Sequence, residues 1–121
     1  VELAPDQPLL LIGLATTQLS IAETDGEMSQ KFNLAAEKNL RKALRLDPAN
    51  ATAYFQLSKA FGQMQRLGYA EWALAEYFAL LGRPESLKHA RRALKGLPEG
   101  SPEKIRTLDI LEIARAGSAG R

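Results

Sequence analysis

Residues 43–70 read ALRLDPANATAYFQLSKAFGQMQRLGYA, and the punctuation of that stretch decides the fold. Asp47-Pro48 stops one helix, because the proline ring pushes the residue before it out of the α region. Beyond it, Tyr54, Leu57, Phe61 and Met64 recur at the three- and four-residue spacing that builds one apolar helix face. The order is aromatic, two residues, Leu57-Ser58, two residues, aromatic, eight residues, Ala70. Small residues let antiparallel helices approach closely, and large ones fill the adjoining hole.

Working outward, the same grammar recurs. Leu3-Ala4-Pro5-Asp6, Leu46-Asp47-Pro48-Ala49 and Leu97-Pro98-Glu99 share one form, and Ala43-Leu44 and Ala93-Leu94 precede two of them. This order resembles the tetratricopeptide repeat, whose period is about 34 residues. Pro5 to Pro48 is 43 residues and Pro48 to Pro98 is 50. The first excess reads as an insertion around Thr24 to Gln30. The second reads as half a repeat, with the fourth helix closing one hairpin and opening the next.

The expectation is an all-α chain: a tetratricopeptide-like right-handed α-solenoid of about six antiparallel helices over residues 5–116. Helices are expected at 8–23, 28–46, 51–67, 69–81, 84–97 and 102–116. Gly68 and Gly82 read as C-caps, and Ser101 as a hydroxyl N-cap ahead of Pro102. Residues 1–4 read as the end of a truncated preceding helix and 117–121 as a tail. Composition agrees: Leu and Ala number 39, whereas Val, Ile and Thr number 11, a helix-forming balance.

Among 121 residues there is no Cys, which excludes disulfides and thiolate-bound zinc. A single His, His89, excludes any site built on two imidazoles. The uncharged run Gln7–Ala22 is shorter and more polar than the ~20 apolar residues of a membrane span. No positive segment precedes it, so it is not a signal peptide either. The initial Val suggests a piece of a longer protein. Net charge is +2, but residues 1–30 hold five acids and no base, while all 16 basic residues follow. They interleave with acids, as on a solvated helical surface.

The chemistry is sparse. His89 sits among Lys88, Arg91 and Arg92, so it reads as a surface or groove-edge histidine rather than a metal ligand or catalyst. Lys88, Arg91, Arg92 and Lys95 share one helix side without interleaved aromatics, which favours a solvated face over nucleic-acid binding. Glu71 and Glu76, and Asp109 and Glu112 beside Arg106 and Arg115, read as surface ion pairs. No phosphate loop and no triad is present, so the fragment offers no catalytic residues, no metal ligands and no cofactor site of its own. Tyr54, Phe61 and Tyr77 read as core, whereas Phe55 falls on the neighbouring face with Lys59 and Gln63. By resemblance to tetratricopeptide solenoids, whose first helices line the ligand groove, Thr52, Phe55, Gln56, Lys59 and Gln63 would line a peptide groove. The carboxylate clamp of chaperone-binding members is not matched, since Phe55 and Gln56 stand in its place.

The order Ala73-Leu74-Ala75-Glu76, Leu81-Gly82-Arg83, Ala90-Arg91-Arg92-Ala93-Leu94, Leu97-Pro98-Glu99-Gly100-Ser101-Pro102, Arg106-x-x-Asp109-Ile110 resembles the C-terminal repeats of bacterial HtpX/Ste-type zinc metallopeptidases. That resemblance implies a periplasmic parent with an HExxH protease domain outside this fragment, where the zinc would sit. The repeats would hold protein substrates or partners, the protease domain of the same chain among them. The alternative is a free-standing or differently fused adaptor in envelope or cytochrome assembly.

Overall fold

A computed structural model describes residues 7–119. Its elements are α1 (Pro8–Thr24), α2 (Ser29–Leu46), α3 (Ala51–Gln63), α4 (Leu67–Leu80), α5 (Glu85–Gly96) and α6 (Pro102–Ala119). No strand occurs among the described residues. The chain is all-α and solenoid-like, with each helix packed on its chain neighbours. Linkers of three to five residues leave no room for anything but a reversal of direction.

Local chemistry sets the boundaries. The Asp25 side chain accepts hydrogen bonds from the backbone N–H of Glu27 and Met28, at 3.1 and 3.3 Å, closing a tight turn. The expected insertion at Thr24 to Gln30 is therefore corrected to a four-residue turn. The added length lies in the helices, since α1 and α2 have 17 and 18 residues against 13 and 14 in α3 and α4. Asn50 caps α3 by accepting from the Ala53 N–H at 3.0 Å. Ser101 caps α6 by accepting from the Lys104 N–H at 3.1 Å, as its sequence position predicts.

Two ends differ from expectation. The residue in left-handed conformation after α3 is Gln65, φ +59°, and not Gly68. The N–H of Arg66 donates to the Phe61 carbonyl and that of Gln65 to Gly62, a paired closure that lets α4 start at Leu67. Gly82, φ +68°, closes α4 in the same way. Residues 117–119 continue α6 rather than forming a tail: one Gly among alanines costs only about 1 kcal/mol and does not stop a helix. The readings of 1–4 and of 120–121 lie outside the described residues.

Packing follows the small-and-large logic of the sequence. Leu19, Leu40, Leu57 and Phe61 are fully buried, with Ala15, Ala36, Ala43, Ala53, Ala60 and Ala73 at the helix contacts. Beyond chain neighbours, α1 reaches α3, and α4 reaches α6, whereas α3 and α5 do not meet. The stacking series thus shifts by one helix at α3–α4, which accounts for the half-repeat excess between Pro48 and Pro98. A smaller core of Ala75, Ala90 and Ile110 seats α6 on α4 and α5.

Candidate functional site

An α-helix turns 100° per residue, so Thr52, Phe55, Gln56, Lys59 and Gln63 fall on one side of α3. The opposite side carries the buried Ala53, Leu57, Ala60 and Phe61. Thr52, Phe55 and Lys59 are exposed, and Gln56 and Gln63 half-buried. Phe55 keeps 46% of its surface in solvent while its ring leans on Tyr77 of α4, centroids 5.2 Å apart. Lys59 Nζ lies 3.6 Å from a Glu23 carboxylate oxygen on α1. Gln63 Oε1 is buried and accepts no hydrogen bond from the described residues. The five share a face that α1 borders at Lys59 and α4 at Phe55.

The aromatic edge of that face extends further than the sequence reading saw. Tyr77 meets Phe78 edge-on at 5.1 Å, and Phe78 stacks flat on His89 at 5.3 Å, the planes 6° apart. A row of rings thereby runs from α3 over α4 to α5. Of the surface and groove-edge readings of His89, the surface one is corrected, since the residue is partly buried. Its Nδ1 is in hydrogen-bond contact with Glu71 of α4, and the side chain keeps 12% of its exposure. Both partners lie on the preceding helix, out of reach of any local pattern. The contact ties α5 to α4 through a ring nitrogen and a carboxylate.

Glu76 requires the second correction. Expected on the surface, it is 3% exposed. Both its oxygens accept from Arg106 Nε, at 3.1 and 3.0 Å. The sequence pairs Arg106 with Asp109 and Glu112 on its own helix, but its Nε reaches across to Glu76 of α4. The Glu76 bond holds the Arg106 guanidinium more firmly protonated than usual. A similar node lies at Arg41, which donates to Glu37 at 2.9 Å and to Glu103 of α6 at 3.1 Å, its guanidinium over the rings of Phe61 and Trp72. Lys88, Arg91, Arg92 and Lys95 are all exposed, as expected of a solvated face.

Among the described residues no three His, Asp or Glu side chains gather closely enough to hold a metal ion. Nor is any of the described helices long and apolar enough to cross a membrane. No protein-family model, curated protein or solved structure matches the chain.

Proposed function

We propose that this chain is a non-catalytic protein-interaction module that holds an extended or helical peptide along the exposed face of α3. The observation that carries the reading is Phe55, a large ring left half in solvent between the amides of Gln56 and Gln63 and the amine of Lys59. An exposed aromatic anchor ringed by polar groups is the usual make-up of a peptide-binding hot spot. Tyr77 supports it from α4, so the ring is presented at little entropic cost. The solenoid-like packing adds support, because stacked hairpins offer extended surfaces suited to peptides.

The resemblance to HtpX/Ste-type peptidases extends the proposal: the module holds substrates or assembly partners for a zinc protease domain of the same parent chain in the periplasm. An adaptor role in envelope or cytochrome assembly is the alternative. An HExxH helix encoded upstream in the same reading frame supports the first, and further helical hairpins there support the second.

The test of the module itself is direct. An unfolded peptide of the outer-membrane β-strand type is titrated against the protein at low and high salt. Binding that persists at high salt, and weakens about tenfold or more in Phe55→Ala, is the expected result, with Lys59→Glu weaker still for an acidic peptide. Unchanged affinity in both variants, with helical circular dichroism intact, removes the α3 face from the proposal. Steep salt dependence together with binding to DNA points instead to the basic helix α5.

A further inference from the structure

A second feature lies on a different side of α3. Tyr54 stands 100° around the helix from Phe55 and about 140° from Lys59, and it faces a cleft of about 350 Å³ between α2, α3, α4 and α6. Leu44, Tyr54, Trp72 and Pro102 form its apolar wall, with the Tyr54 and Trp72 rings edge to face at 5.8 Å.

The charges in this cleft do not balance. Its two acids are both engaged, Glu76 by Arg106 and Glu103 by Arg41. Arg45, also in the lining, is exposed and makes no ion pair among the described residues. Two neutral donors accompany it. The Tyr54 hydroxyl makes no hydrogen bond to the described residues, and burial pushes its pKa up, so it stays protonated. The indole N–H of Trp72, a residue 7% exposed, is buried without an acceptor among the described residues. The cleft therefore carries one cation and two neutral donors without partners among the described residues, beside carboxylates already engaged by arginine. Such a set favours an anionic acceptor, because a charge-assisted hydrogen bond to the guanidinium is stronger than a neutral one.

We propose that this cleft binds a peptide carboxylate, with Arg45 taking the charge and the adjoining apolar side chain resting on Tyr54 and Trp72. One uncompensated positive charge matches a monoanion. A phosphate monoester would bring nearly two negative charges beside Glu76 and Glu103, and gain nothing from the apolar wall. The carboxylate comes from a chain terminus or from an acidic side chain, two sources of the same chemistry. The site is independent of the α3 face and stands whether or not that face binds peptide.

Trp72 is the only tryptophan, so its fluorescence reports on the cleft directly. The probes are N-acetyl-phenylalanine, its neutral amide, the amidated dipeptide N-acetyl-Phe-Asp, and adenosine monophosphate. A saturable change in emission is expected with N-acetyl-phenylalanine, with the Asp dipeptide, or with both, and whichever binds identifies the source of the carboxylate. Arg45→Ala should weaken that binding about tenfold or more with unchanged circular dichroism, since Arg45 is an exposed side chain in no ion pair among the described residues. Tyr54→Phe should weaken it severalfold. Equal binding of the neutral amide, unchanged affinity in Arg45→Ala, silence of both acids at millimolar concentration, or a response to the nucleotide alone each overturns the proposal.

Discussion

Tyr54 shows how a single residue couples packing to electrostatics. Its ring packs against Trp72, and burial raises the phenol pKa above the ordinary 10.0, with the nearby Glu76 adding to the effect and Arg106 and Arg41 opposing it. A pKa raised by folding means the folded state holds the proton more tightly than the unfolded chain. The stabilisation is complete below the unfolded value, about pH 10, and is lost as pH rises through the folded one. Wild-type protein should accordingly lose stability relative to Tyr54→Phe as denaturation midpoints are followed upward from pH 9. Parallel curves for the two proteins would contradict this account. Asn33 illustrates the limit of pattern reading at the same scale. It is buried although polar, its Nδ2 donating to Ser29 Oγ at 3.3 Å, while the apolar Phe32 and Ala35 are only half-buried.

At the scale of elements, the α4–α5 pair depends on two glycines. A Cβ built on Gly68 would stand 2.5 Å from the carbonyl carbon of Gly96, so the two backbones touch. No flexible side chain can move aside, because the obstacle is backbone. Gly68→Ala should force the helices apart and cost about 1–3 kcal/mol, read as a lowered urea midpoint. An unchanged midpoint would mean that the contact is looser than described. The same geometry explains why Gly68 is no C-cap. Its missing side chain serves a helix crossing, and Gln65 accepts the left-handed turn in its place, at a strain of about 1–2 kcal/mol.

For the molecule as a whole, the core divides into unequal parts. α1 to α5 share the larger core, whereas α6 rests on Ala75, Ala90 and Ile110 and on the Arg41–Glu103 and Arg106–Glu76 ties. Ile105, Leu108 and Ile113 of α6 remain exposed. With fewer buried contacts, α6 should open below the global unfolding free energy. Hydrogen exchange is expected to be faster in α6 than in α2 or α3, and fastest towards its C-terminal end. Uniform protection across all six helices would show instead that the ion pairs bind α6 into one cooperative unit.

The six helices and their all-α packing were legible in the sequence, because apolar period, proline stops and the Ser101 cap are local signals whose partners lie within a few residues. The half-repeat shift was legible too, as a spacing of 50 between Pro48 and Pro98. That Thr52, Phe55, Gln56, Lys59 and Gln63 share a face follows from helical period alone, but their aromatic continuation through Tyr77, Phe78 and His89 does not. Only the tertiary structure paired His89 with Glu71, Glu76 with Arg106 and Gly68 with Gly96, and only it opened the cleft beside Arg45. Each of the three pairs joins residues on different helices, 18 to 30 positions apart, and the cleft gathers side chains from four helices. Their meeting depends on how neighbouring helices cross, a quantity set by close packing of whole faces and not by the spacing within any one of them.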